Sequence, residues 1–171
     1  MPDHGYFRRR LARTWERLLN LLGEFDCRLD AKGRLVLPAL LRKQLGKEAD
    51  SGFVMNRDVH APCLVLYPAS VWEKTSAQLR RLNRFVKANA EFIRRFTAGA
   101  TPVALDPTGR MLLPYALMKE ARMGNDIKLI GADDRIEVWS AKAYADMRNE
   151  SVDMSSLSER VMGALGNEDG K

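Results

Sequence analysis

The most specific residue spacing in this chain is a pair of Asp–Arg couples, Asp30/Arg34 and Asp106/Arg110, each four positions apart and each enclosing a glycine, Gly33 or Gly109. An Asp opening a tight turn accepts hydrogen bonds from the turn's own amides, and Gly supplies a positive φ without steric penalty. Asp30, Gly33, Asp106 and Gly109 are therefore expected to structure two turns. Arg34 and Arg110 admit two roles. Each can fold back on its Asp and stiffen the turn, or reach outward, because a guanidinium matches a phosphate or the O6/N7 edge of guanine with two parallel hydrogen bonds.

Other chemistries have little to work with. The chain has two histidines, His4 and His60, and neither falls in a Cys-x-x-Cys or His-x-x-x-His spacing. Zinc is not expected. Neither G-x-G-x-x-G nor G-x-x-x-x-G-K-[ST] occurs, which removes the usual phosphate cradles. No enzyme activity, cofactor, metal or small-molecule ligand is expected. Cys27 and Cys63 are too few for a disulfide scaffold and read as core or strand-edge residues of a reduced, cytoplasmic chain. The longest apolar runs fall well short of the roughly 20 residues that a membrane span needs.

The elements around the two turns repeat. Cys27–Lys43 (CRLDAKGRLVLPALLRK) and Val103–Lys119 (VALDPTGRMLLPYALMK) align at an offset of 76, with Leu29/Leu105, Asp30/Asp106, Gly33/Gly109, Arg34/Arg110, Leu37/Leu113, Pro38/Pro114, Leu41/Leu117 and Lys43/Lys119 identical. In the first copy Phe25, Cys27 and Leu29 alternate with Asp26 and Arg28, as on a half-buried strand. Leu35–Leu37 reads as a second strand, antiparallel to the first across the turn. Pro38 and Pro114 then sit at the first helical position, with Leu40, Leu41 and Leu45, or Leu117 and Met118, on the apolar side. A further strand pair follows in each copy: residues 53–56 with 64–67, and 127–130 with 136–139. A unit of about 45 residues is too small to bury a stable core alone, so the two copies must bury each other.

The formal net charge of +6 is unevenly placed: residues 1–23 carry +3, 24–70 carry +1, 71–98 carry +5, 99–147 carry −1 and 148–171 carry −2. Residues 71–98 are expected to form one long amphipathic helix, capped by Ser70 and Glu73, with Leu79, Leu82, Phe85, Val86, Ile93 and Phe96 on one face and Arg80, Arg81, Arg84 and Lys87 near the other. Within the repeats, Cys27–Lys43 has a local balance of +4 and Val103–Lys119 only +1. Arg28, Lys32, Arg42 and Lys43 therefore join Arg34 as candidate nucleic-acid contacts, and the first copy is the better candidate.

The paired D-A-K-G-R-L-V-L-P and D-P-T-G-R-M-L-L-P motifs closely resemble the double D-x-x-x-R motif of the MraZ family, a branch of the AbrB-like swapped-hairpin barrels. The similarity runs over about 24–147 and includes Leu64–Pro68, Trp72–Lys74, Leu82–Phe85 and Phe96–Ala100. It implies an α+β, pseudo-two-fold double barrel with short helices. It also implies a DNA-binding transcriptional regulator, nucleoid-associated, acting at direct repeats in the promoter of the division and cell-wall gene cluster. Chains are expected to assemble into homo-oligomeric rings, and the family's DNA-binding arginines fall on Arg34 and Arg110.

The expected organisation is an N-terminal extension (1–23), a first repeat (24–70), a connecting helix (71–98), a second repeat (99–142), and a C-terminal helix and tail (143–171). Family members usually begin near Leu22. Phe7, Leu11, Trp15, Leu18 and Leu22 have helical spacing, which suits a partner helix, a membrane-surface helix or an additional DNA clamp, or else an upstream start codon. Ser156 and Glu159 are expected to cap a short helix ending at Leu165. The competing reading of the whole chain is an oligomeric scaffold that docks an acidic protein on the basic 71–98 helix.

Overall fold

The computed structural model describes residues 18–165. The expected helical stripe from Phe7 to Trp15 and the tail 166–171 lie outside them.

Each copy supplies four strands. The first contributes β1 (Glu24–Arg28), β2 (Arg34–Val36), β3 (Phe53–Arg57) and β4 (Leu64–Pro68), and the second contributes β5 (Thr101–Val103), β6 (Arg110–Leu112), β7 (Asp126–Ala132) and β8 (Arg135–Ser140). Six of them form one antiparallel sheet in the order β1-β7-β8-β4-β3-β5, and β2 and β6 form a separate two-stranded ribbon. The order reads the same from either edge once copies are exchanged, as a pseudo-two-fold requires.

The expected hairpin between β1 and β2 does not form as a ladder. One rung closes the turn, with the Asp30 amide donating to the Arg34 carbonyl at 3.0 Å, and the strands then part. β1 pairs with β7 of the other copy, β5 pairs with β3, and β2 pairs with β6. This exchange gives the outer edges of β3 and β7 a partner that neither copy supplies for itself. It also leaves β1 and β5 as open edges. The described strands therefore make an open sheet plus a ribbon, not a closed barrel, and the ribbon covers the sheet's core by packing.

One hydrophobic cluster joins the copies: Leu29, Leu35, Leu37, Leu41, Leu45, Phe53 and Met55 from the first meet Met111, Leu113, Leu117, Ile127, Leu129, Ile136 and Val138 from the second. Mutual burial is thus observed.

The helices differ from the sequence expectation in placement. Pro38 and Pro114 occupy the N-cap, one residue earlier than expected, before α1 (Ala39–Leu45) and α4 (Tyr115–Glu120). Leu41 and Leu45 are buried, but Leu40 is 53% exposed. The segment 71–98 is not one helix. It divides into α2 (Ala69–Arg80) and α3 (Lys87–Thr97). Asn83 breaks it: its side-chain oxygen accepts the Phe85 amide at 3.0 Å and its carbonyl accepts the Val86 amide at 3.2 Å, an Asx turn that competes with helix continuation. Phe85, expected on the apolar face, is fully exposed in this connection. Ser70 does not cap α2; Pro68 stands at the N-cap and the Ser70 hydroxyl donates to Glu48 Oε2 at 2.9 Å.

Ser140 does cap α5 (Ala141–Asn149), accepting the Ala143 amide at 3.1 Å. At the C-terminal end Asp153, rather than Ser156, caps α6 (Met154–Leu165) by accepting the Ser155 and Ser156 amides at 3.0 and 3.3 Å. Leu18–Leu22 is not helical, since Leu21 forms a bridge with Asp133 and is fully buried. No described helix is long and apolar enough to cross a membrane.

Candidate nucleic-acid interface

The ribbon brings the two Asp–Arg couples to one face. Its register places Arg34 opposite Leu112, Leu35 opposite Met111 and Val36 opposite Arg110. Side chains alternate across a strand, so Arg34, Val36, Arg110 and Leu112 share the outer face while Leu35 and Met111, 0% and 1% exposed, point into the core. Two further backbone bonds, Leu37 amide to Gly109 carbonyl at 3.0 Å and Leu113 amide to Gly33 carbonyl at 3.2 Å, tie each turn to the opposite strand. The arginines lie diagonally across the ribbon, roughly 7–8 Å apart at the backbone by standard sheet geometry.

Both turns are built as the Asp and Gly types require. Asp30 Oδ1 accepts the amides of Lys32 and Arg34, each at 2.9 Å, and Gly33 has φ +75°. Asp106 Oδ1 accepts the amides of Thr108 and Arg110, each at 2.9 Å, as well as the Thr108 hydroxyl at 2.6 Å, and Gly109 has φ +78°. These bonds stabilise the charged carboxylates. The Arg34 amide, then its side chain, holds Asp30 below the usual carboxylate range; the Thr108 hydroxyl, then the Arg110 amide, holds Asp106 at about 2.

The arginines do part of what each role demanded. Arg34 Nε donates to Asp30 Oδ2 at 2.7 Å, so the guanidinium is anchored by one edge. Arg110 Nε donates to the Thr108 hydroxyl at 2.8 Å and lies 3.4 Å from Asp106 Oδ2. Among the described residues no hydrogen bond engages the terminal nitrogens of either arginine, and each side chain is about one-third exposed, at 29% and 33%. Anchoring through Nε fixes the direction of the fork and leaves the Nη edge to meet an anion or a base.

The other candidates are distributed around this face. Lys32 is exposed at the tip of the first turn. Arg42 and Lys43 are exposed in the last turn of α1, and Arg42 extends over the second copy's turn, with Nη1 3.0 Å from the position a Cβ would take on Gly109. A charge counted with the first copy thus belongs in space to the second, narrowing the difference between the two turns. Arg28 ends edge strand β1 and pairs with Asp126 at 3.5 Å, both highly exposed. Sequence reasoning missed three contributors. Thr108 stands in place of Lys32 and supplies a hydroxyl to the second turn; Val36 and Leu112, exposed apolar residues between the arginines, were marked only by their alternation with buried Leu35 and Met111.

Among the described residues no three His, Cys, Asp or Glu side chains converge to hold a metal ion. Cys63 is buried and Cys27 half-buried, both unpaired. Burial, reinforced by Glu137 and Asp58, pushes the Cys63 thiol well up, and burial with Asp26 raises Cys27.

The model of the MraZ protein family matches this chain twice, over residues 21–95 and 96–163, one match per copy. The chain belongs to the MraZ family. Among its relatives, the Transcriptional regulator MraZ of Flavobacterium psychrophilum is 41% identical over 150 residues, covering 87% of this chain and 96% of the relative. The protein of the same name from Christiangramia forsetii is 42% identical over 147 residues, covering 85% and 95%, and that of Phocaeicola vulgatus is 35% identical over 150 residues, covering 87% and 97%. All three of these relatives carry the name of a transcriptional regulator. The first match opens at Leu21, which is fully buried and bridged to Asp133 of the second copy.

Proposed function

We propose that this chain is a DNA-binding transcriptional regulator that reads duplex DNA with the β2–β6 ribbon and its two D-x-x-x-R turns. The observation that carries this reading is the register: exchanging strands between copies sets Arg34 and Arg110 on one outward face, each held at Nε with its Nη edge free of hydrogen bonds among the described residues. A two-stranded ribbon fits the DNA major groove, where a guanidinium engages guanine bidentately. Lys32, Arg42, Lys43 and Arg28 lie outside the ribbon's own strands and supply phosphate contacts, which set affinity and position more than sequence. With Arg42 over the second turn, Arg34 and Arg110 carry comparable shares of binding.

The family relationship supports action at direct repeats in the promoter of the division and cell-wall gene cluster, with a nucleoid-associated cytoplasmic location. Several such chains in a ring would present one ribbon to each repeat. The domain plan is correspondingly two repeats, 24–70 and 99–142, joined by α2 and α3 and followed by a C-terminal helical segment. Competition between the promoter duplex and a scrambled duplex of equal length tests the reading. Preferential displacement by the promoter duplex supports it, whereas equal displacement favours non-specific or protein-directed binding.

A scaffold reading has one observation behind it. The connection between α2 and α3 exposes Arg81, Arg84 and Lys87 around a fully exposed Phe85, a basic tip with an aromatic centre. An acidic partner would engage that tip and leave the ribbon's arginines dispensable.

A further inference from the structure

The arginines occupy one diagonal of the ribbon's outer face, and the other diagonal is apolar. Val36 and Leu112 are 56% and 59% exposed, on strands three residues long whose inner residues are almost completely buried. Neither side chain can hydrogen-bond to a phosphate or a base. In the major groove one exposed group is apolar, the C5-methyl of thymine, and it distinguishes that base from cytosine and adenine. We propose that Val36 and Leu112 read thymine methyl groups beside the bases contacted by Arg34 and Arg110. This inference rests on the proposed reading of DNA by the ribbon.

The geometry suits the task. Diagonal neighbours on a ribbon are about 7–8 Å apart, close to two base-pair steps of about 3.4 Å, so the four side chains meet adjacent or next-adjacent pairs. Val36 is β-branched and stiff at χ1, which presents its methyl groups in one arrangement. The turns on either side are pinned by Asp30 and Asp106. A second copy of the chain is a poorer occupant of this face. Any apolar surface broad enough to cover Val36 and Leu112 would also bury the two interleaved guanidinium groups away from water, whereas DNA answers both diagonals at once.

The test is a cycle between protein and DNA. The promoter duplex is resynthesised with deoxyuridine replacing thymidine, which removes the methyl groups and keeps the pairing, and Kd is measured for the full chain and for the Val36→Ala/Leu112→Ala variant. Burying one methyl group is worth about a fourfold change in Kd, so the unmodified chain should lose roughly 10- to 20-fold across two contacts. The double variant should bind both duplexes within about twofold of each other. Equal affinity of the unmodified chain for thymine and uracil duplexes overturns the proposal, as does an equal loss in both proteins. A variant that changes oligomeric state by light scattering while retaining the full uracil effect assigns the apolar pair to an interface between copies and likewise overturns it. Parallel titrations of Arg34→Ala and Arg110→Ala separate the two levels. If the arginines are needed but the methyl groups are not, only this inference fails; if the arginines are dispensable, the ribbon reading fails with it.

Discussion

Leu41 tests how completely the copies depend on each other. It is fully buried on α1 of the first copy, in a cluster that includes Met111, Leu117 and Ile127 of the second. Truncation to Ala removes three carbons from a site that cannot collapse without moving both copies, so a loss of about 3 kcal/mol is expected, mid-range for buried Leu→Ala changes. In urea, with a slope of about 2 kcal/mol per molar, the unfolding midpoint should fall by roughly 1.5 M. In a thermal scan the same change corresponds to roughly 6–12 °C for a domain of this size. The assay follows Trp139 fluorescence in a Trp15→Phe/Trp72→Phe background, at fixed protomer concentration. Trp139 is the next-to-last residue of β8 in the second copy, is 3% exposed and donates to Glu137 Oε2 at 2.8 Å. A lesion in the first copy should move the second copy's signal by the full amount, in one transition coincident with far-UV circular dichroism. A Trp139 midpoint unchanged by Leu41→Ala would refute the interdependence.

Other expectations follow from close approaches and shifted ionisations. Gly131→Ala should destabilise by about 3 kcal/mol, the upper end of overpacking, because its Cβ would lie 2.5 Å from Leu22 N and 2.6 Å from Leu21 C, whereas Gly33→Ala should lose about 1–2 kcal/mol through its positive φ alone; equal Tm losses would contradict this. Asp106 ionises at about 2 when folded, below its unfolded value, so its contribution is complete above about pH 4 and fades as pH falls towards 2. Thr108→Val should return the Asp106 carboxyl towards the ordinary range in an NMR titration, and an unmoved titration would show that the hydroxyl is not the main cause. Cys63 should resist iodoacetamide at pH 8 in the native chain and react on unfolding; stoichiometric native labelling would contradict its raised, buried thiol.

What was legible in the sequence was local. The Asp-x-x-Gly-Arg turns, the strand alternation and the need for mutual burial all follow from side-chain chemistry within a few residues, and the structure contains them. Strand partners were not legible, because a period-2 pattern satisfies its own copy and the other copy equally well; β1 reads the same whether it meets β2 or β7. The break at Asn83 was hidden by an apolar spacing that runs through it, since the Asx turn competes with the helix at one residue. Chain proximity counts the Arg42 charge with the first copy, whereas the fold sets its guanidinium against Gly109 of the second. The candidate arginines were recognisable from their turns, but their shared face emerges only from the β2–β6 register.

The most direct measurement is the Kd of the promoter duplex for the unmodified chain, Arg34→Ala and Arg110→Ala, with far-UV circular dichroism confirming that each variant stays folded. A bidentate base contact is worth about 1–3 kcal/mol, so each substitution should weaken binding to the promoter duplex by roughly 5- to 150-fold and bring it close to that for scrambled DNA. Unchanged promoter affinity in both folded variants would contradict the reading of DNA by the β2–β6 ribbon.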